Sequence, residues 1–213
     1  MTLTIDILEL GPVGTNCYIV RAGATAAEAV VVDPGAEGGR ILRELDRVDA
    51  RCVAILVTHT HYDHIGAVAD LAEATGAPVC APAGEAMVLE HPDAFYGPLG
   101  LAIRPWTAAR YLEGGEELEL AGIDFDVVSV PGHSPAHLAF HADGALLSGD
   151  VLFAGSVGRT DLPGASWETL LDSIRALATG YPLDTVVYPG HGPRTTLGAE
   201  LAGNPFLVEL RAS

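Results

Sequence analysis

The chain has 213 residues, of which 49% are hydrophobic, so it is long enough and apolar enough to bury one sizeable core. Its formal net charge of -17 repels nucleic acid and anionic membranes, which argues against both as partners. The N-terminus lacks the basic region of a signal peptide and no apolar run reaches transmembrane length, so we expect a cytoplasmic protein without a membrane span.

The first part of the chain is predicted to form short strands, turns and helices. Alternating or continuous apolar residues predict strands at residues 3–8, 17–21, 29–33 and 52–57. Glycine and proline predict a turn at residues 11–14. Helical spacing of apolar residues predicts helices at residues 38–47 and 65–74, the second stopped by Gly76 and Pro78.

Residues 90–112 are rich in proline and glycine and are predicted to form an irregular insertion or flap over a site. Strands are then predicted at residues 117–120, 125–130, 136–141, 145–148 and 183–188. Helices are predicted at residues 166–178, 196–202 and 205–211, the first capped by Ser166. Two groups of strands, each closed by helices, predict an α/β fold of two face-to-face sheets with helices outside, in one domain over residues 1–213.

The three cysteines, Cys17, Cys52 and Cys80, all lie in apolar stretches and lack Cys-x-x-Cys spacing. We expect buried free thiols, which fits a reducing compartment. A catalytic cysteine is not expected because none of the three lies in a polar loop. A Gly-x-Ser-x-Gly motif is also absent from the sequence, so no serine nucleophile is evident.

The segment His59-Thr60-His61-Tyr62-Asp63-His64 is the strongest functional signal in the sequence. Three of the eight histidines fall within these six positions, in a loop between a predicted buried strand and a predicted helix. His59 and His61 alternate, so both can point to the same side of an extended chain. Asp63 and His64 fall at the turn into the helix and can face a second, adjacent centre. Imidazole together with carboxylate suits zinc, iron or manganese, so a metal site is a better interpretation than a solvated polar loop.

Three later residues share the same local context: His133, Asp150 and His191. Each follows a predicted strand and a small or kinked residue. Any one of them alone could be an ordinary strand-end turn. The repeated pattern favours ligand candidates gathered at strand ends, where loops usually hold functional groups.

The order and spacing of these segments resemble the metallo-β-lactamase superfamily, over nearly the whole chain from residue 14 onward. The shared motifs are His-x-His-x-Asp-His, a later Gly-His, a Gly-Asp and a final Gly-His. Residues 149–161, 189–198 and 204–206 are more closely similar to small, single-domain glyoxalase II-like hydrolases. The resemblance implies a four-layer αβ/βα sandwich and two divalent metal ions, with zinc expected first and iron or manganese as alternatives.

The resemblance also implies how the ligand candidates divide between two metals. The first metal would be held by His59, His61 and His133, the second by Asp63, His64 and His191, and Asp150 would bridge the two. Asp63 and Asp150 would thereby be the catalytic carboxylates. Asp33 resembles a position that orients ligands, although a plain strand-end turn explains it equally well. Ala136 replaces a glycine usual before His137, a departure that removes no ligand.

The resemblance implies hydrolysis of thioesters of a small thiol, of the S-lactoylglutathione type. Two metals roughly 3.5–4 Å apart share a water and lower its pKa toward about 7, so a metal-bound hydroxide can attack the acyl carbon. Arg159 is the candidate for an anionic group of the acyl-thiol substrate, with a surface salt bridge to Asp161 as the equal alternative. Tyr188 and Arg194 are further substrate-binding candidates. Larger relatives reach glutathione through a C-terminal helical domain that has no counterpart in this sequence, so the thiol and the acyl group stay open.

Three other interpretations compete with the thioester hydrolase. A mononuclear iron persulfide dioxygenase of the same fold is similar around the first metal, so spacing alone does not exclude it. A nucleic-acid-processing member of the superfamily is disfavoured by the acidic charge and the lack of a basic patch. A non-catalytic binding module is disfavoured because buried imidazoles and carboxylates are costly without a metal. The sequence carries no prediction of oligomeric state.

Overall fold

Two mixed β-sheets of six strands each form the centre of the computed structural model, which describes residues 2–211. The N-terminal sheet has the order β1 (Thr4–Leu10), β2 (Thr15–Arg21), β3 (Glu28–Val32), β4 (Arg51–Leu56), β5 (Val79–Pro82) and β6 (Arg110–Leu112). Its first three strands pair antiparallel, and the later ones pair parallel from β3 onward.

The second sheet contains β7 (Glu117–Leu120), β8 (Ile123–Ser129), β9 (Leu138–Ala142), β10 (Ala145–Gly149), β13 (Val186–Pro189) and β14 (Thr195–Thr196). Its spatial order is β14-β13-β10-β9-β8-β7. A separate hairpin is formed by β11 (Leu152–Phe153) and β12 (Ser156–Val157). Strands β10 and β13 run parallel, and β8 runs in the same direction because β9 is antiparallel to both of its neighbours. The carboxyl ends of β8, β10 and β13 therefore lie at one edge of this sheet.

The helices lie outside the sheets. They are α1 (Gly38–Arg47), α2 (Tyr62–Ile65), α3 (Val68–Thr75), α4 (Ala86–Glu90), α5 (Pro92–Tyr96), α6 (Trp167–Gly180), α7 (Leu197–Gly203) and α8 (Val208–Arg211), with short 3-10 turns at Ala83–Glu85, Gly97–Leu99 and Pro205–Leu207. The α6 helix begins after Ser166, whose hydroxyl accepts a hydrogen bond from the backbone N–H of Thr169 at 3.3 Å, as expected of an N-cap. None of the helices within residues 2–211 is long and apolar enough to cross a membrane.

Buried apolar side chains form three layers that hold the sheets and helices together. The layer between the two sheets includes Val20, Val32, Phe125 and Phe140. A second layer joins the N-terminal sheet to α1 and α3, and a third joins the other sheet to α6. Successive residues of β2 alternate between the first two layers, so both faces of that strand are buried. This layering confirms the predicted α/β sandwich of two sheets with helices outside.

The α1 helix occupies the predicted residues, but other local predictions were wrong. The helix predicted at residues 65–74 is divided into α2 and α3 at Gly66, where an added Cβ would lie 2.3 Å from the carbonyl oxygen of Gly35. The predicted irregular segment at 90–112 contains α5 and β6. Both β5 and the β11–β12 hairpin lacked a sequence signal, because strands of two to four residues are fixed by their neighbours rather than by their own pattern.

Candidate metal centre

The seven ligand candidates lie at one end of the sandwich. His133, Asp150 and His191 follow β8, β10 and β13, whose carboxyl ends share an edge. The other four lie between β4 of the N-terminal sheet and the first turn of α2. The structure thus brings all seven predicted residues together, from segments up to 132 positions apart in the sequence (residue 59 to residue 191).

Three histidine side chains converge in a first set. The Nδ1 atom of His61 lies 3.0 Å from Nε2 of His59 and 2.9 Å from Nε2 of His133. Neutral imidazoles that face each other in this way direct lone pairs to a shared point, which is the arrangement of ligands around one cation. These three residues form a group able to hold a metal ion.

The second set consists of Asp63, His64 and His191. The Oδ2 atom of Asp63 lies 3.3 Å from Nε2 of His191 and 3.6 Å from Nε2 of His64. Asp150 lies between the two sets. Its Oδ1 is 3.4 Å from His64 Nε2, and its Oδ2 is 3.5 Å from both His191 Nε2 and His133 Nε2. One carboxylate therefore faces a histidine of the first set and two of the second.

Two buried polar atoms in this cluster have no hydrogen-bond partner among the described residues. They are Nε2 of His64, a side chain that is fully buried, and Oδ1 of Asp150. Leaving such atoms unpaired is costly, and a cation between them would satisfy both. Imidazole nitrogen and carboxylate oxygen are donors suited to zinc, iron or manganese. The donor atoms present therefore fit a divalent metal such as zinc, iron or manganese.

The first-set histidines are held in the neutral form that binds metals. Burial lowers the pKa of His59 well below its usual value, lowers that of His61 to about 4, and also lowers that of His133. Each ring can therefore offer a lone pair at neutral pH.

In the second set, contacts with neighbouring side chains outweigh the effect of burial on the pKa values. Burial raises the pKa of Asp63, but hydrogen bonding to His191, the nearby His64 and the hydroxyl of Thr15 bring it down to about 2. Burial lowers the pKa of His191, but its hydrogen bonds to Asp150 and Asp63 bring it up to about 10. A cation that binds here must displace the protons on these histidines, so metal binding is coupled to proton release.

Several further residues orient the ligand candidates, and Asp33 is the first of them. Its carboxylate accepts from the backbone N–H and the hydroxyl of Thr58 at 2.8 and 2.7 Å, and lies 2.9 Å from Nδ1 of His64. Asp33 is 2% exposed and adopts a positive φ of 52°. This contact fixes the His64 ring so that Nε2 faces the site, which is the orienting position that the resemblance implied.

The His133 and Asp150 side chains are also held from outside the cluster. The Nδ1 of His133 donates to the backbone carbonyl of Arg159 at 2.9 Å, which leaves Nε2 to face the site. The backbone N–H of Asp150 donates to Nε2 of His137 at 3.1 Å, and the His137 ring stacks on His59. The sequence pattern predicted neither Arg159 nor His137 as a residue that orients a ligand candidate.

The N-terminal sheet holds the loop that carries His191. The side-chain amide of Asn16 donates to the carbonyl oxygens of Pro189 and Gly192 at 2.9 and 2.8 Å. The hydroxyl of Thr15 donates to Oδ2 of Asp63 at 2.7 Å. Neither residue has a role that its local sequence indicates, because these contacts join positions 48 to 176 residues apart.

Two glycines let the backbone approach Asp150 closely. A Cβ on Gly190 would lie 2.0 Å from Oδ1 of Asp150, and a Cβ on Gly158 would lie 1.9 Å from its carbonyl oxygen. A larger residue at position 190 would displace the carboxylate between the two sets, and one at position 158 would displace the backbone of Asp150. The glycines of the Pro-Gly-His and Val-Gly-Arg segments could have indicated these close approaches from the sequence, since glycine is the residue that permits them.

Within residues 2–211, the side chains of the three substrate-binding candidates form no hydrogen bond or ion pair with the seven ligand candidates, although the backbone carbonyl of Arg159 accepts from His133. Arg159 is exposed, and its guanidinium forms a bidentate pair with Asp161 at 2.7 and 2.8 Å. Tyr188 is half-buried, with its ring 5.6 Å from that of Tyr18. The exposed Arg194 lies three residues after His191, and within residues 2–211 its side chain forms no ion pair or hydrogen bond.

Comparison with known proteins identifies the family. Residues 10–191 match the metallo-β-lactamase superfamily. Hydroxyacylglutathione hydrolase GloC of Haemophilus influenzae is 33% identical over 214 aligned positions, covering 96% of this chain and 98% of that protein. The chain therefore belongs to the metallo-β-lactamase superfamily, a class of metal-dependent enzymes that are generally hydrolases.

Solved structures agree with this assignment. The B3 metallo-β-lactamase BLEG-1 superposes with a TM-score of 0.87 at 38% identity, covering 96% of this chain and all of that one. TTHA1623 in a di-iron-bound form gives 0.84 at 42% identity, over 95% of this chain and all of that one. ETHE1 from Myxococcus xanthus gives 0.80 at 25% identity, over 99% and 90%. These similarities confirm the four-layer fold.

Proposed function

We propose that this protein is a two-metal hydrolase that cleaves thioesters of small thiols, such as S-lactoylglutathione. The observation that carries the proposal is the arrangement of seven donors in two sets that share Asp150. Seven donors exceed what a single catalytic zinc uses, since such an ion commonly has three protein ligands. The similarity to a hydroxyacylglutathione hydrolase over nearly the full length of both chains supports the thioester substrate.

Water, rather than a side chain, is the proposed nucleophile. All three cysteines are buried free thiols, and burial raises the pKa of each thiol. For Cys52 the pKa is raised to about 11. A protonated, buried thiol is a poor nucleophile. In the proposed reaction the oxygen of water bonds to the acyl carbon and the carbon–sulfur bond breaks. One proton of the water goes to the departing sulfur and the other to solvent, so a carboxylate, a thiol and a proton are released.

The proposed centre combines metal chemistry with groups that the chain itself holds in place. Divalent ions, when bound, supply Lewis acidity and a water of lowered pKa. The neutral rings of His59, His61 and His133 would bind one ion, and the carboxylate of Asp150 would contact both. Asp33 keeps Nδ1 of His64 engaged, so that Nε2 stays available to the second ion.

The exposed arginines are the proposed contacts for an anionic substrate. The overall charge of -17 repels anions, so capture needs a local cation. Arg194, whose guanidinium has no partner in the part of the chain that the structure describes, lies close in sequence to His191, whereas Arg159 must exchange Asp161 for the substrate carboxylate. Tyr188 is proposed to contribute packing near the same loop.

The proposal is tested by the hydrolysis of S-lactoylglutathione by zinc-loaded protein, compared with Asp150→Asn. The amide keeps the shape of the side chain but removes the charge that faces both sets. Asp172→Asn is the matched control, since Asp172 is exposed and paired with Arg175 away from the cluster. We expect loss of activity in the first variant and none in the second. Oxygen uptake with a persulfide, in place of thioester hydrolysis, would favour the persulfide dioxygenase instead.

A further inference from the structure

The side chain of Glu85 lies between the two loops that carry the first-set histidines. Glu85 is 5% exposed and ends the 3-10 turn that follows β5. Its Oε2 accepts from the backbone N–H of Thr60 at 2.7 Å and from the Thr60 hydroxyl at 2.8 Å. Its Oε1 accepts from the hydroxyl of Ser134 at 2.5 Å and from the backbone N–H of Ala136 at 3.1 Å. Each carboxylate oxygen therefore holds a different loop.

The residues held by this carboxylate are chain neighbours of ligand candidates. Thr60 lies between His59 and His61, and Ser134 directly follows His133. The first loop follows β4 of the N-terminal sheet, and the second follows β8 of the other sheet. Because the two loops belong to different sheets, a shared hydrogen-bond acceptor sets the distance between them.

The contacts around Glu85 are close on both sides. A Cβ on Gly84 would lie 2.7 Å from the Cβ of Ala136, so the turn that presents Glu85 packs directly on the second loop. On the first loop, the carbonyl oxygen of Thr60 accepts a hydrogen bond from the hydroxyl of Tyr96 at 2.7 Å. The peptide next to the histidines is thus fixed from two directions.

The burial of Glu85 is compensated by hydrogen bonds rather than by a counter-charge. Within residues 2–211 no cationic side chain pairs with its carboxylate. Its hydrogen-bond partners Thr60 and Ser134 are chain neighbours of the first-set histidines, so a cation held by these histidines would lie in the field of the carboxylate.

We propose that Glu85 is a positioning residue of the metal centre, which sets the distance between the His59–His61 loop and the His133 loop and so pre-forms the first cation site. It hydrogen-bonds none of the seven ligand candidates and acts through Thr60 and Ser134. The inference rests on the metal site of the proposed function and does not depend on which thioester is the substrate.

The test compares the zinc affinity of the wild type with that of Glu85→Gln, by competition with a chromophoric chelator. The amide keeps the volume, but on either loop its NH2 group must face a backbone N–H, so at least that hydrogen bond is lost, while the hydroxyl beside it can rotate to accept from the NH2. We expect the zinc affinity to fall by roughly 10–100-fold, the usual effect of removing a group that orients metal ligands. Ser134→Ala, which removes one of the four hydrogen bonds, should give a smaller loss and covers the case of a poorly folded Glu85→Gln.

Glu200→Gln is the matched control for general destabilisation. Glu200 is equally buried at 5% exposure and accepts from the backbone N–H of Gly155, the amide of Asn204 and the hydroxyl of Thr195 at 2.6–2.8 Å. Both glutamine variants should lower Tm, but only the change at Glu85 should lower zinc affinity.

Three outcomes would overturn the inference: unchanged zinc affinity in both Glu85→Gln and Ser134→Ala, equal losses in Glu85→Gln and Glu200→Gln, or a wild type that binds no zinc. The last would also overturn the metal site of the proposed function. If the zinc affinities differ as expected but the wild type does not hydrolyse S-lactoylglutathione, the role of Glu85 is supported and only the proposed substrate is overturned.

Discussion

Replacing Thr15 with valine should weaken the second metal set by removing a single hydrogen bond. Thr15 is 2% exposed and begins β2, and its hydroxyl donates to Oδ2 of Asp63 at 2.7 Å. The same oxygen faces Nε2 of His191 at 3.3 Å and Nε2 of His64 at 3.6 Å. Valine has nearly the same shape and is equally suited to a strand, so the packing of β2 should be preserved.

The size of the effect follows from the charge on the acceptor. A hydrogen bond to a charged group contributes about 1.5–3 kcal/mol, and each ~1.4 kcal/mol is a factor of ten in affinity. If the bond acts by holding Asp63 in its binding orientation, the affinity for the second zinc ion should fall by roughly 10–100-fold. The first set, which Thr15 does not touch, should keep its affinity.

The measurement is a zinc titration with chelator competition on the wild type, Thr15→Val and Thr15→Ser. Serine loses the methyl group but keeps the hydroxyl, so its second-site affinity should stay close to that of the wild type. Equal losses in both variants would mean that Thr15 acts through packing in the strand. Full second-site affinity in Thr15→Val would refute the assigned role of the hydroxyl.

Four further substitutions test other parts of the site. Asp63→Ala should keep the fold, empty the second set and abolish most thioester hydrolysis, whereas full metal content with normal activity would exclude Asp63 as a ligand. Gly190→Ala should lower metal content more than Tm, because its Cβ would lie 2.0 Å from Oδ1 of Asp150; a normal metal content measured by elemental analysis would contradict this. Arg159→Ala and Arg194→Ala should each raise KM for an anionic thioester more than for a neutral one, and equal changes on both substrates would indicate a role in loop structure only.

Local patterns in the sequence predicted the parts of the fold that depend on local chemistry. The apolar spacing from Ile41 to Leu45 predicted α1 at its observed residues, and the hydroxyl of Ser166 caps α6 as expected. The ligand candidates were recoverable for the same reason. In this sequence a histidine or an aspartate follows several apolar strands in turn, and loops at strand ends usually hold functional groups.

Apart from Asp33, the groups that hold the ligands were not predicted from the sequence, because their contacts are remote in sequence. Thr15 reaches Asp63 across 48 positions, and Glu85 reaches Ser134 across 49. A threonine at the start of a strand and a glutamate in a short turn are common, so neither has a distinguishing local pattern. The bend at Gly66 was also missed, since its cause is the carbonyl of Gly35 on another element.

The two-metal thioester hydrolase is tested most directly by adding zinc stepwise to protein freed of metal and measuring S-lactoylglutathione hydrolysis at each step. Seven donors in two sets predict that hydrolysis rises until close to two zinc ions are bound per chain. Because Asp150 faces both sets, we expect full hydrolysis to need both ions. Full hydrolysis with a single metal per chain, or no hydrolysis while one iron supports oxygen uptake on a persulfide, would contradict the proposal.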